Sequence, residues 1–556
     1  MKKTSVFSVR LLAVSLSLFL FLAGSAIRAA AVEADNPPVG WWRDAVFYEV
    51  FVRSFADATS GPLAGDGIGD LQGLIERLDY LNDGRGTQGT SLGVTALWLM
   101  PIYPSPSYHG YDVTDYFSVN RDYGDIALCK QFMQEAHRRG IRVILDLVLN
   151  HSSSQHPLFL KAVAAGPGSA ERSLFRFAEL PEQLEGPWGQ RAWHPTKGGF
   201  YYGVFTSEMP DWNLNEPAVT DHHHRLAKFW LEEVGVDGFR LDAVRYFDES
   251  GEELQDTART RQWLKEFTAY CHAVKPGAFV VAENTAHMPE VARCIRGDSV
   301  DSSFEFDLAK ATIESVRLRT PGILSQALQR LDVLYDGGSP WSTFITNHDQ
   351  ERARTQLDGH LAQTRLAVKL FLTLPGVPFL YYGEELGMQA GKPDPELRTP
   401  MPWTAVAPNA GFTAPGVSAW KAPRPDFATV NVASQLNASD SMRELYRQLV
   451  RLNMGSPALR HGKPVAVQSS DRGVYVQLRE TEHEVVLVLG NFSETEAAGV
   501  KLTVTRSRIR KDWTLGEELE SARVVAPILN EDGGFEQWQP LAKLAPESVY
   551  VVRWRR

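Results

Sequence analysis

Eight short apolar runs, rich in β-branched residues, alternate with helical patterns along most of this chain of 556 residues. Buried apolar strands that alternate with helices indicate a parallel sheet. Eight such units predict an α/β fold of the (β/α)8 barrel type, and an open doubly wound sheet shares the pattern. The predicted strands are Val46–Val52, Val94–Met100, Ile141–Leu147, Val236–Asp242, Phe279–Glu283, Ser303–Leu308, Ser342–Asn347 and Val377–Tyr382. The predicted helices include Ile126–Arg139, His222–Val234, Thr257–Val274 and Leu361–Leu374.

Two departures from this alternation of strands and helices predict further structural units. The interval between the third and fourth runs is longer than one helix needs, and residues 152–218 are rich in Gly, Pro, Trp and Tyr. Because long loops inside compact domains are usually functional, we expect a subdomain inserted after strand 3. From residue 461 the runs alternate without helical period, which predicts a C-terminal antiparallel β domain over 461–556. The barrel would then occupy 41–460.

Composition narrows the class of partner and the source of stability. The chain is 44% hydrophobic and 22% charged, as in soluble globular proteins, and its mass of 62.0 kDa exceeds that of one compact domain. A net charge of −10 makes nucleic acid a poor partner. Three cysteines, Cys129, Cys271 and Cys294, cannot form a disulfide framework, and we expect them to be buried thiols in helices.

The N-terminus has the pattern of a secretory signal. Lys2, Lys3 and Arg10 precede the apolar run Leu11–Ala23, and Ala29–Ala31 offers a cleavage site. We therefore expect a signal peptide over 1–31 and a secreted or periplasmic protein. The alternative is an uncleaved anchor, for which about 17 apolar residues is the short limit. We expect no membrane span in the mature chain.

Three acidic residues stand at the carboxyl ends of predicted strands, where barrel enzymes carry their catalytic groups. Asp242 ends the fourth strand, Glu283 the fifth and Asp349 the seventh. A buried carboxylate is costly, so each one alone reads as a helix cap, an ion-pair partner or a functional group. Three together, flanked by His, Arg or Asn, indicate one converging site.

Paired carboxyl groups are the machinery of glycoside hydrolysis, in which one is an ionised nucleophile and the other a protonated acid. Arg240 projects to the same strand face as Asp242, and its charge would keep that carboxylate ionised. Glu283 follows an apolar run, a setting that raises a carboxyl pKa. His151 and His348 are either donors to sugar hydroxyls or core histidines.

Four motifs resemble, in order, the signature regions of the α-amylase family, glycoside hydrolase family 13. They are Asp146–His151, Gly238–Asp242, Glu283 and Phe344–Asp349. The resemblance covers roughly 41–460. It implies that Asp242 is the nucleophile, that Glu283 is the general acid/base and that Asp349 holds sugar hydroxyls at the cleavage subsite. Arg240, His151 and His348 then resemble the partners of that subsite.

Other segments agree with this resemblance and bear on chain length. His109–Tyr116 resembles the segment in which a tyrosine, here Tyr111, stacks on the sugar, and Asp112 occurs there in relatives that act on short oligosaccharides. Arg398–Trp403 resembles a loop of α-glucosidases. Met209–Asn213 resembles a motif of members intermediate between oligo-1,6-glucosidases and neopullulanases. Asp112 and Arg398 would then bind a chain end. The competing view is that Asp112 orders its own loop and that Arg398 pairs with Glu396 or a barrel acid.

A loop after the first strand carries oxygen ligands with the spacing of a Ca²⁺ site. Asp57, Asp66, the carbonyl of Ile68 and Asp70 are the predicted ligands, with glycines supplying the turn. The family has a calcium loop of similar sequence, although this copy contains the insertion Thr59–Gly65. The alternative is an Asp/Gly turn without metal. A second family calcium site uses a Lys-His pair, where this chain has Arg245 and Tyr246.

The sequence thus predicts a retaining α-glucan hydrolase, similar to α-amylases, that acts on α-1,4-glucosidic bonds of maltooligosaccharides or starch. We expect a structural Ca²⁺ and no organic cofactor. One rival is an α-glucosidase or transglycosylase, which shares the first chemical step. The other is a non-catalytic sugar-binding or accessory protein on the same fold, a class that lacks the catalytic acids.

Overall fold

A computed structural model describes residues 37–181, 184–249, 253–519 and 523–556 of the chain. The predicted signal peptide over 1–31 lies outside these residues. No helix in these four ranges is long and apolar enough to cross a bilayer.

The strands fall into one large parallel sheet and several antiparallel ones. In chain order they are β1 Phe47–Val50, β2 Ala96–Leu99, β3 Arg142–Leu147, β4 Phe177–Ala178, β5 Trp193–Thr196, β6 Gly199–Tyr202, β7 Gly238–Leu241, β8 Phe279–Ala282, β9 Ser302–Ser303, β10 Ser342–Thr343, β11 Val377–Tyr381, β12 Lys463–Val465, β13 Gln468–Ser469, β14 Val474–Glu480, β15 Glu484–Asn491, β16 Ala497–Ala498, β17 Leu502–Arg506, β18 Thr514–Leu519, β19 Gly533–Trp538, β20 Lys543–Leu544 and β21 Ser548–Arg555.

The α-helices fill the connections between these strands. They are Val52–Phe55, Leu71–Leu81, Ile126–Arg138, Pro157–Ala165, Ala170–Ser173, Pro217–Lys228, Ala258–Val274, Met288–Arg296, Phe306–Arg317, Pro321–Tyr335, Ala353–Gln356, Leu361–Phe371, Asp394–Leu397, Val432–Gln435, Met442–Met454 and Pro457–His461. A π-helical turn, Phe229–Val234, continues the helix that starts at Pro217. Cys129, Cys271 and Cys294 are buried free thiols in helices, as predicted.

The parallel sheet forms the predicted barrel. Its order is β10-β11-β1-β2-β3-β7-β8-β9, and an isolated parallel bridge between Phe304 and Ser342 joins the two edge strands. The strands β1, β2, β7 and β8 are buried at every position, as continuous apolar runs in a sheet covered by helices should be. The sheet therefore brings the carboxyl ends of eight strands to one face.

The sixth predicted strand is wrong over most of its length. Only Ser302 and Ser303 form β9, and residues from Phe306 onward form the helix Phe306–Arg317. The apolar residues after Phe304 are buried at helical spacing, among them Leu308, Ala311 and Val316. A short apolar run of this kind does not reveal by its composition whether it is strand or helix.

The inserted subdomain lies between β3 and β7, as predicted. Its sheet has the order β4-β6-β5 and is antiparallel. Bridges between His151 and Asp211, and between Phe175 and Trp212, attach the segment that returns to the barrel. The subdomain therefore stands beside the carboxyl end of β3.

The C-terminal part is antiparallel β structure, which confirms the predicted class of this part of the chain. A five-stranded sheet has the order β12-β14-β15-β21-β18, and a three-stranded sheet has the order β13-β17-β19. Every residue of β15 is buried, because one face packs on the barrel and the other on the second sheet. Val486 and Val488 belong to the core cluster of the barrel, whereas Val485, Leu487 and Leu489 belong to the β-domain core.

Candidate active site

Arg240 joins three carboxyl groups at the carboxyl ends of β3, β7 and β8. Its Nη1 donates to Asp146 Oδ1 at 2.9 Å and to Asp242 Oδ1 at 2.7 Å. Its Nη2 lies 3.1 Å from Glu283 Oε2. Arg240 and Asp242 share one face because they are two residues apart at the end of β7. The guanidinium is 1% exposed, so water screens these pairs little.

The turn after β7 fixes the position of Glu283. Ala243 has a left-handed backbone with φ of 50°, which costs a non-glycine residue about 1 kcal/mol or more. Its N–H donates to Glu283 Oε2 at 2.9 Å. Two donors, Arg240 and Ala243, therefore hold the same carboxyl oxygen of Glu283.

His348 connects the other side of the site to this cluster. Its Nδ1 lies 2.5 Å from Glu49 Oε1, and its Nε2 lies 2.7 Å from the Tyr111 hydroxyl and 3.2 Å from Asp349 Oδ2. The Tyr111 hydroxyl donates to Asp146 Oδ2 at 3.0 Å. Hydrogen bonds therefore run from β1 through His348 and Tyr111 to Asp146, which Arg240 links to Asp242.

Arg398 holds Asp349 from the loop after β11. Its Nη2 donates to Asp349 Oδ1 at 2.7 Å, and its Nε donates to the carbonyl oxygen of His348 at 3.0 Å. Glu396 contacts Lys421 instead. Apart from a chain-end role, Arg398 was expected to pair with Glu396 or with a barrel acid. The structure shows the second arrangement, and the barrel acid is Asp349.

Asp112 is buried and orders its own loop. Its Oδ1 accepts hydrogen bonds from the hydroxyls of Ser105, at 2.6 Å, and Ser107. Within the described residues no ion pair joins it to Arg398. Burial lowers the pKa of His109, and the charges of Asp112 and Arg398 both act on it, so the two groups lie near His109 without contacting each other.

His151 follows β3 and is a buried polar residue. The side chain is buried, and Nε2 has no hydrogen-bond partner among the residues that the structure describes. Burial lowers the pKa of His151 to about 3, so the ring is neutral at pH 7. A buried unpartnered polar atom is costly, and a ligand hydroxyl would satisfy it.

Burial and mutual repulsion set the protonation of the acids. Burial raises the pKa of Asp242 to about 6, and the lowering effect of Arg240 does not offset it. Burial also raises the pKa of Glu283, and the charges of Asp242 and Asp349 add to that shift. Burial raises the pKa of Asp349 too, but His348 and Arg398 outweigh it and leave the pKa below its usual value. Arg240 therefore moderates the pKa of Asp242 without holding it low.

The predicted calcium loop is held by its own hydrogen bonds. The carboxylate of Asp57 accepts from the N–H groups of Gly65 and Gly67, at 2.8 and 2.9 Å. Asp70 caps the helix Leu71–Leu81, and Asp66 accepts from the N–H of Ile68. These oxygens suit Ca²⁺ in type, but no three acidic or His/Cys side chains in the described ranges gather as a metal cluster. Calcium here stays a prediction.

The aromatic residues of the subdomain separate into core and surface. Trp193 is half-buried and packs on Tyr202, and Tyr201 packs on Phe159 within the large core cluster, so both are packing residues. Trp188 is 51% exposed and contacts Phe205 and Tyr246 at ring-centroid distances of 5.6 and 5.0 Å. These three rings, Trp188, Phe205 and Tyr246, form an aromatic shelf. The shelf reaches the site because the ring of Phe205 lies 5.2 Å from that of His151.

The structure brings most predicted site residues into one network and adds two. Asp242, Glu283, Asp349, Arg240, His348, Tyr111 and Arg398 are joined by direct contacts. Neither Asp146 nor Glu49 was assigned a role from the sequence. The signal for both was a charged residue inside a buried apolar run, at Asp146 within β3 and Glu49 within β1.

Comparison with known proteins gives consistent matches over most of the chain. The family model described as alpha amylase, catalytic domain, matches residues 49–462. Alpha-amylase 3 of Dictyoglomus thermophilum is 37% identical over 471 residues, which cover 84% of this chain and 87% of that protein. Trehalose synthase/amylase TreS of Mycobacterium tuberculosis is 31% identical over 526 residues, or 84% of each chain. The crystal structure of an α-amylase from H. orenii superposes with a TM-score of 0.77 at 33% identity, covering 92% of this chain and 99% of the other.

Proposed function

The chain belongs to the α-amylase family of glycoside hydrolases, and on that premise we propose that it hydrolyses α-1,4-glucosidic bonds with retention of configuration. The substrates proposed are maltooligosaccharides and starch-type glucans. The observation that carries the proposal is the single guanidinium of Arg240 that contacts both Asp242 and Glu283. Carboxyl groups gathered in this way favour the short spacing of retaining enzymes, about 5–5.5 Å, over the wider spacing that admits a water.

The first chemical step assigns different roles to the two carboxyl groups. Asp242 attacks C1 of the sugar while Glu283 gives its proton to the glycosidic oxygen, so the bond to the leaving sugar breaks as the glycosyl–Asp242 ester forms. Arg240 and Ala243 both donate to Glu283 Oε2. The proton of Glu283 therefore belongs on Oε1. In the second step Glu283 takes a proton from water, whose oxygen attacks C1 and releases Asp242.

Polar side chains around the nucleophile would orient the sugar. Asp349 is held by Arg398 and His348, yet its side chain is 43% exposed. With its pKa lowered it stays ionised and accepts hydrogen bonds from sugar hydroxyls. The unpartnered Nε2 of His151 supplies a donor or acceptor to another hydroxyl.

The aromatic shelf supports an oligosaccharide leaving group. Tyr246 follows the nucleophile by four residues, and burial, with the charge of Glu283 in addition, raises its pKa, so the shelf begins near the acid. Trp188 continues it outward with half of its surface exposed. Large flat apolar rings beside a polar site suit the apolar faces of sugar rings.

Asp242→Asn tests the mechanism. The change keeps the shape of the side chain and removes the nucleophile, so turnover of maltotriose should fall by at least about a thousandfold, of the order of whole catalytic groups. Asp115→Asn, at an exposed acid that caps its own turn, is the matched control and should keep wild-type activity. An Asp242→Asn protein that folds and keeps a tenth of the rate would overturn the assignment. NMR of the first product should detect the α-anomer, and a β-product would exclude double displacement.

The finer specificity needs product analysis. The relative named trehalose synthase/amylase favours one alternative, transfer of the glycosyl group to a second sugar, as in an α-glucosidase or transglycosylase. Incubation with maltotriose, starch, pullulan and isomaltose separates hydrolysis from transfer and α-1,4 from α-1,6 cleavage. Because Asp112 orders the loop that carries Ser105 and Ser107, Asp112→Ala should lower kcat/KM for maltotriose and starch alike. A selective loss on maltotriose would support chain-end binding instead.

Export of the protein completes the proposal. We infer from the N-terminal sequence that the protein is secreted or periplasmic, and N-terminal sequencing of the mature protein should begin at Val32. A protein that retains Lys2 and Lys3 would contradict cleavage.

A further inference from the structure

Glu49 is a carboxyl group inside the apolar strand β1 that neither the motifs nor the comparisons account for. It is 2% exposed, and its neighbours Tyr48 and Val50 are fully buried. A buried carboxylate is costly unless a charged or donor group faces it. Its partner is the Nδ1 of His348 at 2.5 Å, 299 residues away in sequence.

The hydrogen bonds around His348 determine its charge. Nδ1 faces the carboxylate of Glu49, which accepts, so Nδ1 carries a proton. Nε2 faces the carboxylate of Asp349 at 3.2 Å, which also accepts. The Tyr111 hydroxyl donates to Asp146, so toward Nε2 it accepts as well. A ring whose two nitrogens both face acceptors is satisfied only as the doubly protonated imidazolium.

We propose that Glu49 is a positioning residue that keeps His348 an imidazolium and thereby fixes Tyr111 and Asp349 at the cleavage subsite. Glu49 touches neither the sugar nor the reacting carboxyl groups and acts through His348. The charged ring holds Asp349 in place, and it leaves the Tyr111 hydroxyl free to donate its hydrogen bond to Asp146. The inference rests on the proposed function only in that glycosidic hydrolysis is the activity measured.

The groups that face His348 agree with this charge state. They are Glu49 from β1, Tyr111 from the loop after β2, Asp146 from β3, Asp349 from the segment after β10 and Arg398 from the loop after β11. Burial lowers the pKa of His348, but the carboxylates of Asp349 and Glu49 raise it further, so it lies above its usual value. Removal of the Glu49 charge would therefore lower that pKa.

Glu49→Gln tests the proposal because it keeps the size and the acceptor but removes the charge. His348 should then lose a proton at lower pH, and its bare nitrogen would repel Asp349. The pKa of His348, followed by NMR titration of protein labelled with ¹⁵N-histidine, should move down by about 1 to 3 pH units, the usual effect of one adjacent charge, and kcat/KM of the variant should fall below that of the wild type above the lowered pKa. Glu49→Asp, which restores the charge, should return the pKa of His348 toward its wild-type value. An unchanged His348 pKa in Glu49→Gln would overturn the proposal.

Glu385→Gln is the matched control for loss of a buried carboxylate in the same barrel. Glu385 is 1% exposed and accepts from the hydroxyls of Tyr48 and Tyr80, at 2.8 and 2.7 Å, without touching His348. Its loss should lower stability and leave the pKa of His348 in place. A shift equal to that of Glu49→Gln would mean that any buried carboxylate acts this way, and would also overturn the proposal.

A measurement on the wild type guards against a variant that fails to fold. The spectrum of protein labelled with ¹⁵N-histidine should contain a doubly protonated ring at pH 7.5, one unit above the ordinary histidine pKa of about 6.5. His348→Gln or Glu49→Gln identifies the signal by its loss. Absence of any such ring in the wild type would reject the imidazolium. Absence of hydrolysis by the wild type would instead reject the proposed function.

Discussion

Arg240 makes the carboxyl groups of this site depend on one another. Its Nη1 serves both Asp146 and Asp242, and burial raises the pKa of each to about 6. The negative charge of Asp146 is one cause of the raised pKa of Asp242. Near pH 6 the two acids therefore compete for a proton, and the ionisation of the nucleophile depends on its neighbour.

The pH dependence of hydrolysis follows from these shifts. Asp242 must be ionised, so kcat/KM should fall as pH drops through about 6. Glu283 must be protonated, and because its pKa is raised, kcat/KM should fall again as pH rises through that raised value. In Asp146→Asn the acid limb should move to lower pH, since a charge that opposes ionisation of Asp242 is gone. An acid limb that stays in place in this variant would contradict the coupling.

At this scale the sequence predicted the acids better than their environment. The spacing of Arg240 and Asp242 on one strand made their contact predictable. The burial that outweighs Arg240 depends on β3 and β8, which are distant in sequence. The role of Glu49 was not predicted because its partner, His348, is distant in sequence. The two meet only because β1 and β10 flank β11 in the folded sheet.

Among the elements, the loop over residues 57–70 is fixed by a later segment of the chain. The N–H of Asp57 donates to the carbonyl of Phe412, and the hydroxyl of Thr413 donates to the Asp57 carboxylate. The N–H of Trp420 donates to the carbonyl of Gly67. The segment after β11 thus covers the loop that the sequence marked only as a turn or a calcium site.

Gly67 is a point of close backbone packing in this contact. Its φ is +87°, and an added Cβ would lie 2.1 Å from the carbonyl oxygen of Ser418. Gly67→Ala should therefore destabilise the protein by clearly more than the roughly 1–2 kcal/mol of left-handed strain alone. Gly61→Ala is the matched control, because φ is +90° there with open space around the Cβ. Urea denaturation that gives the two variants equal losses would contradict the close contact.

Calcium at the same loop is a separate prediction. Asp57 and Asp70 are buried, and burial, with the charge of Asp57 in addition, raises the pKa of Asp70 to about 6. A cation would relieve that repulsion and stabilise the folded state by about 2.7 kcal/mol at a hundredfold excess over Kd. EDTA should lower Tm without abolishing turnover, and re-added Ca²⁺ should restore it. No metal on elemental analysis and an unchanged Tm would remove the site.

Among secondary-structure elements, those with long, regular patterns were predictable. The helix predicted from apolar spacing over Ile126–Arg139 is observed over Ile126–Arg138, a difference of one residue. The run after Ser303 was assigned to the wrong class because two residues of strand pass directly into a helix. The contact between residues 57–70 and the segment after β11 could not be predicted. Both segments are irregular and have no hydrophobic periodicity.

On the scale of the whole molecule, the barrel and the C-terminal β structure share a core. Tyr475, Phe492 and Val549 pack in the barrel cluster from β14, from the residue after β15 and from β21. The Glu484 carboxylate accepts from the N–H of Ala458 at 2.8 Å and from Arg553 Nε at 2.6 Å, so it ties the helix Pro457–His461 to β15 and β21. Neither part can unfold without exposing apolar surface of the other.

This shared core predicts one cooperative thermal transition. Differential scanning calorimetry should record a single peak, and tryptophan fluorescence and activity should be lost together. Glu484→Ala should lower Tm without splitting the peak, because it leaves Arg553 buried with one partner fewer. Two resolved peaks in the wild type would contradict the shared core.

The network described around Arg240 and His348 has an electrical consequence for inhibitor design. Its acids are Glu49, Asp146, Asp242, Glu283 and Asp349, and its cations are Arg240, His348 and Arg398. Even with Glu283 protonated, the acids exceed the cations by one, and the reacting sugar supplies the missing charge as it becomes an oxocarbenium-like ion. A protonated imino sugar carries that charge permanently. It should bind more tightly than the uncharged sugar of the same shape. Isothermal titration calorimetry should show this difference in affinity growing as pH rises through about 6 and Asp242 ionises. Equal affinities at every pH would mean that the surplus charge is neutralised elsewhere.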